Sequence, residues 1–265
     1  MADKKPFPNR RPRAYKNEAF LDTADARPLR ILSEYLEPLS HFRKQKIHDT
    51  IAFFGSARVT EEGPMGRYYR EARTLAKLLT EWSNGLQNST RRFVVCTGGG
   101  PGIMEAANRG AHDAGGKNIG LNIGLPFEQL PNPYITPELS FEFHYFFMRK
   151  FWFAYLAKAL VVFPGGFGTL DELSELLTLA QTEKLAKKMV IVLYGTSYWK
   201  EILNMDALVR YEMISKSDLD LFQYADDPET AMQQLRDGLT QFYLQPAAPL
   251  SEREHETPAI AQSRV

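Results

Sequence analysis

The sequence is short of cysteine, has no excess charge of either sign and lacks long apolar runs. Cys96 is the single cysteine in 265 residues. That excludes an internal disulfide framework and a cysteine-rich metal cluster, and a chain with no need of disulfides fits a reducing, cytoplasmic setting. Lys plus Arg and Asp plus Glu both number 32. A formal charge of zero argues against a nucleic-acid partner and against a membrane-surface binder, both of which want a basic excess; it leaves room for one local anion site. No stretch approaches the roughly 18 apolar residues of a membrane span. The amino-terminal stretch MADKKPFPNRRPRAYKNEAF has charge but no apolar core behind it, unlike a secretory signal. The five histidines, His41, His48, His112, His144 and His255, are scattered and show no HExxH spacing, so no metal is expected. His144 lies in an aromatic run and reads as a packed core histidine; Cys96, ending an apolar run, reads as an inert core thiol.

The length suits one large α/β domain or two small ones. Residues 1–26 are rich in Pro, Arg, Lys and Asp and read as a flexible arm. Residues 27–48 read as an added helix or helix pair, with Leu29, Ile31, Leu32, Tyr35, Leu36 and Phe42 as its apolar positions. Residues 245–265 read as a second flexible tail. Between them, over 49–244, short apolar runs alternate with helical spacing. IAFF (51–54), FVVC (93–96), NIGLNI (118–123), ALVVF (159–163) and MVIVLY (189–194) read as strands. Residues 66–82, about 101–114, the stretch after PGGFGT and about 228–242 read as helices, with Pro101 suited to a first turn. This alternation predicts an α/β, Rossmann-like, doubly wound parallel sheet with helices on both faces, plus the amino-terminal helical extension.

Ligands of such sheets bind beyond the carboxyl ends of the strands. Two glycine-rich turns fall there, one around Gly98, Gly99 and Gly100 and the other around Gly165, Gly166, Gly168 and Thr169. Glycine lets backbone approach a ligand closely, and a helix start offers unpaired N–H groups with a positive dipole end. Together these make a phosphate cradle; the alternative is a tight turn with no ligand. Neither turn is a P-loop, and neither fits the dinucleotide fingerprint. Thr169-x-x-Glu172 supports two readings. It has the spacing of a helix capping box, and it also places a carboxylate beside the cradle, where it could serve a sugar. Arg149 and Lys150 follow a run in which every residue from Phe141 to Phe147 except Glu142 is aromatic or His. Two cations near a helix start oppose its dipole; an anionic ligand or a carboxylate would relieve that, and a solvated pair is the alternative.

TGGGPGIMEAAN (97–108), MRK (148–150) and PGGFGTLDE (164–172) resemble the LOG ("Lonely Guy") family, long mislabelled as lysine decarboxylases, which includes cytokinin riboside 5'-monophosphate phosphoribohydrolases. The resemblance covers roughly residues 50–243. It implies a Rossmann-like fold, a homodimer or larger homo-oligomer, and hydrolysis of the N-glycosidic bond of a nucleoside 5'-monophosphate without a cofactor. By motif position it implies Arg149 and Glu172 as the catalytic pair. Gly165, Gly166, Gly168 and Thr169 match the phosphate-binding loop, and Gly98, Gly99, Gly100, Met148 and Lys150, in the accompanying motifs, are expected to bind substrate. Glu128 matches a substrate-binding Glu, and Ser56, in the GSA turn, is a ligand contact or a helix N-cap. A non-catalytic carrier of a nucleotide or of molybdenum cofactor is the alternative on the same architecture.

Overall fold

The computed structural model describes residues 11–86, 90–124, 130–185 and 187–245. Its strands are β1 (Thr50–Phe54), β2 (Val94–Thr97), β3 (Asn118–Ile123), β4 (Ser140–Phe143), β5 (Ala157–Val162), β6 (Val190–Tyr194) and β7 (Gln223–Ala225). The helices are α1 (Glu18–Leu21), α2 (Arg27–Lys44), α3 (Gly66–Asn84), α4 (Ile103–Asp113), α5 (Phe146–Leu156), α6 (Phe167–Gln181), α7 (Thr196–Ile202), α8 (Met205–Arg210) and α9 (Pro228–Leu239). They form one seven-stranded sheet in the order β4-β3-β2-β1-β5-β6-β7, and every neighbouring pair is parallel.

Side chains alternate between faces along each strand, so each central strand feeds two cores. Ile51 and Phe53 of β1 pack with Leu75 and Leu79 of α3, Ile103 of α4 and Leu235 of α9. Ala52 and Phe54 face the other way, towards Phe42 of α2, Trp152 and Phe153 of α5, and Leu173 of α6. A sheet buried on both faces explains why these strands read as unbroken apolar runs. This is the doubly wound α/β fold the alternation predicts.

The structure adds two strands at the sheet's edges. β4 comes from the aromatic stretch, with Phe141 and Phe143 buried and Glu142 exposed. β7 is a three-residue edge strand. His144, expected in the core, is exposed at the end of β4. Pro101 lies outside α4, whose N-cap is Gly102. Residues 14–26, expected within a flexible arm, form two 3-10 turns flanking α1, and Arg30 ties them down by donating to the carbonyls of Leu21 and Thr23. The extension at 27–48 is one helix, α2, and not a pair. Residues 1–10 and 246–265 lie outside the described residues.

Candidate functional site

The chain runs outward from β1 through β2 and β3 to β4, then returns to the other side of β1 for β5, β6 and β7. The order therefore reverses between β1 and β5, and the crevice beyond their carboxyl ends is where open α/β sheets bind ligands. The turn after β5 carries the PGGFGT motif there, beside the GSA turn after β1. The Ser56 N–H donates to the Pro164 carbonyl at 3.0 Å, and the Ser56 carbonyl accepts from Ile103 N–H at 3.1 Å. Ser56 thus joins β1's exit to the turn after β5 and to the start of α4. It is not a helix N-cap: its hydroxyl accepts from Arg58 N–H in a local turn, and α3 begins only at Gly66.

Three expected residues converge at Gly165. A methyl group there would collide with the Thr169 hydroxyl and lie 3.0 Å from the Ser56 nitrogen. Tyr198 of α7 braces the turn by donating its hydroxyl to the Gly165 carbonyl at 2.7 Å. Gly166 and Gly168, by contrast, face open space. α6 starts at Phe167 with Gly166 as N-cap and no side-chain cap. Its first N–H groups are the natural anion-holding donors of this turn.

That helix start excludes the capping-box reading of Thr169-x-x-Glu172. Thr169 sits inside α6, at its third residue, so it is no N-cap and the capping box does not form. Glu172 is instead 7% exposed. Burial pushes its carboxyl up to about 7, against the pull of Arg149 and Lys150 and with the push of Glu175 and Asp171. An acid that changes charge near neutrality can exchange a proton during a reaction.

Arg149 reaches this acid from α5. Burial lowers its pKa, and the nearby Glu172 and Glu142 hold its charge. Its Nε donates to the Leu121 carbonyl at 2.8 Å, and its guanidinium lies over the Phe153 ring, 5.3 Å from the centroid. The TGGG turn makes room for it: a methyl group on Gly98 would strike the Arg149 guanidinium. The rest of that turn is held by protein partners. Gly99 has φ +74, and a methyl group on it would collide with Asn122; its N–H donates to the Thr97 hydroxyl at 2.9 Å. Asn132 donates to the carbonyls of Gly99 and Gly100. Gly98 therefore seats Arg149, Gly99 and Gly100 are held by Asn132, and the turn left open is the other one.

The dipole conflict at the start of α5 is relieved by a carboxylate from the extension. Glu34 of α2 accepts from His144 N–H at 2.8 Å and from Tyr145 N–H at 3.2 Å, and its carbonyl accepts from the Trp152 indole at 2.9 Å. No spacing in the sequence marks this contact, which spans more than a hundred residues. Asn122, Glu142 and Tyr198 were missed for the same reason. Met148 is buried in the core with Trp152 and Leu173. Lys150 turns to α6, with Nζ 2.8 Å from both Asp171 and Glu175. Glu128 lies outside the described residues. A cavity of ≈ 330 Å³ between Lys46, Ser83, Arg92 and Lys117 opens at the sheet's opposite, amino-terminal edge and contains none of the motif residues. Among the described residues no helix is long and apolar enough to cross a membrane.

Fold and site define a Rossmann-like α/β protein in which a glycine turn, a buried acid and a half-buried arginine meet at the switch point of the sheet. The family model described as "Possible lysine decarboxylase" matches residues 104–235, a span that includes Arg149, Lys150 and Glu172. By that match and by its curated relatives the chain is similar to this family, the LOG family. A probable cytokinin riboside 5'-monophosphate phosphoribohydrolase of Oryza sativa subsp. japonica, LOGL3, is 27% identical over 206 residues, 74% of this chain and 86% of that protein. A second from the same plant, LOGL5, is 32% identical over 112 residues, 42% of this chain and 44% of that protein, less than half its length. The X-ray structure of a structural genomics target, TM1055, shares the fold at 21% identity with a TM-score of 0.51, covering 71% of this chain and 99% of that one. The molybdenum cofactor binding protein of Rippkaea orientalis superposes with a TM-score of 0.49 at 19% identity, over 71% of this chain and 96% of that one.

Proposed function

We propose that this protein hydrolyses the N-glycosidic bond of a nucleoside 5'-monophosphate, AMP or a cytokinin riboside 5'-monophosphate, releasing the free base and ribose 5-phosphate. The observation that carries the reading is the buried Glu172 carboxyl, poised near neutrality beside Arg149, one turn into a helix whose uncapped start is open at Gly166 and Gly168. In this reading the 5'-phosphate sits on the amino end of α6, where N–H groups and dipole favour an anion. The ribose then lies over Glu172. As the C1'–N bond breaks, its electron pair leaves with the base and positive charge develops on the sugar. The ionised Glu172 stabilises that charge, then takes a proton from the water that adds to C1'; the base collects its proton from solvent. Arg149 stays protonated, which makes it a poor acid, and it serves by orienting substrate and holding Glu172 ionised.

Incubation with AMP, followed by chromatography, tests this. Adenine and ribose 5-phosphate are expected. Glu172→Gln is expected to keep AMP bound while turnover falls by ~10²-fold or more. AMP that binds the wild-type protein and stays intact for hours would favour a non-catalytic carrier.

The active form in this reading is at least a homodimer. Phe146, Phe147 and Phe151 of α5 are exposed, and so are Leu29, Leu32 and Leu36 on one side of the neighbouring α2. Apolar exposure of that extent marks an interaction surface.

A further inference from the structure

The resemblance of MRK to the family motif places Lys150 among substrate-binding residues, but in the structure its charge is already taken. Asp171 and Glu175 are one turn apart on α6 and flank Glu172 in sequence. Lys150 Nζ bridges them from α5, 2.8 Å from an oxygen of each. The Glu175 Oε2 is buried and has no hydrogen bond, so the ion pair with Lys150 is its compensation. We infer that Lys150 is a positioning residue for Glu172: it neutralises the two carboxylates beside the acid and pins α5, which carries Arg149, to α6, which carries Glu172.

The charges facing Glu172 support this. From α5 come Arg149 and Lys150, which favour its ionised form; from α6 come Asp171 and Glu175, which oppose it. Lys150 therefore acts on Glu172 directly, by attraction, and indirectly, by cancelling both opposing charges. Burial works against the Lys150 charge, yet the bonds to Asp171 and Glu175 raise its pKa well above the ordinary lysine value. A lysine so engaged is not free to follow a phosphate. The inference rests on the phosphoribohydrolase reading for its consequence in turnover, but its electrostatic content is independent of that reading.

The test is a titration of the Glu172 carboxyl by carbon-13 NMR in the full chain, with the resonance assigned by its loss in Glu172→Gln. Lys150→Met is expected to raise the Glu172 pKa by about half a unit or more, because one attraction is lost and two repulsions are uncovered. Lys150→Arg, which keeps the bridge, is expected to leave it within a few tenths of a unit of wild type. Asp171→Asn, which removes a repulsion and frees Lys150, is expected to lower it, and supplies the answer if Lys150→Met fails to fold. An unmoved titration in Lys150→Met, or an unmoved or raised one in Asp171→Asn, overturns the inference. AMP turnover in parallel should show the acid limb of kcat shifting with the NMR pKa and KM changing less than about threefold. A raised KM with an unshifted limb would instead make Lys150 a phosphate ligand. Should the wild type leave AMP intact while the titrations move as stated, the hydrolase reading fails and the role of Lys150 stands.

Discussion

At the residue scale the decisive group is Glu172, whose folded pKa of about 7 lies above the ordinary carboxyl value of 4.5. The folded protein therefore holds this proton more tightly than the unfolded chain does. The contribution to stability is present below about pH 4.5 and is lost as pH rises through 7. The shift already includes the attraction of Arg149, so ionisation is unfavourable on balance. Glu172→Gln, an uncharged isostere, is expected to be more stable than wild type above pH 8 by about 2–3 kcal/mol and equal to it near pH 4, as read from denaturant melts at the two pH values. A variant that is less stable at pH 8 would mean that the carboxylate is a structural ion-pair partner. For catalysis the sign is opposite: kcat/KM for AMP should rise with pH through 7 and then level, because the working form is ionised. Gly98 offers a second test. Alanine there meets the Arg149 guanidinium and, at 2.8 Å, the Met104 sulfur. Both are ends of flexible side chains, so Gly98→Ala is expected to cost only about 1–2 kcal/mol of stability. It should also lower kcat by ~10-fold or more by moving Arg149 off the Leu121 carbonyl; unchanged turnover would remove Arg149 from the mechanism.

At the scale of elements, α5 is the critical piece, because its amino end is set by a helix far away in sequence. Glu34→Ala removes the acceptor for two N–H groups at that end. It is expected to lower stability by about 1–3 kcal/mol in thermal or denaturant melts, and kcat with it. An activity loss without a stability loss would point to a different use of Glu34. The same contrast shows what the sequence makes legible. β1, β2, β3, β5 and β6 are buried on both faces, so their apolar runs announce them. β4 hides in a stretch so aromatic that its alternation of Phe141 and Phe143 with Glu142 is lost, and β7 has three residues and no apolar run. Arg149, Glu172 and the open turn were readable because motif spacing fixes them on α5 and α6. The dipole conflict at α5 was readable too, but its resolution by Glu34 was not. The capping-box reading failed because α6 begins three residues earlier than Thr169-x-x-Glu172 suggests.

At the scale of the whole molecule, the strand order places the turns after β1, β2 and β5 side by side, and the site follows from that topology more than from any one motif. The amino-terminal extension is part of this architecture, since Leu39 and Phe42 of α2 share a core with Trp152 of α5. Its outer leucines and the exposed phenylalanines of α5 are the residues proposed for self-association. Light scattering at micromolar concentration should give a dimer or larger, and Leu32→Glu should shift it towards monomer; a monomeric wild type would refute the assembly. A crystal structure of Glu172→Gln with AMP would show where the nucleotide sits. The phosphate is expected within hydrogen-bond distance of the first N–H groups of α6, with the ribose against position 172 and Arg149 nearby. AMP bound at the amino-terminal edge of the sheet, or with its phosphate away from α6, would contradict the proposed function.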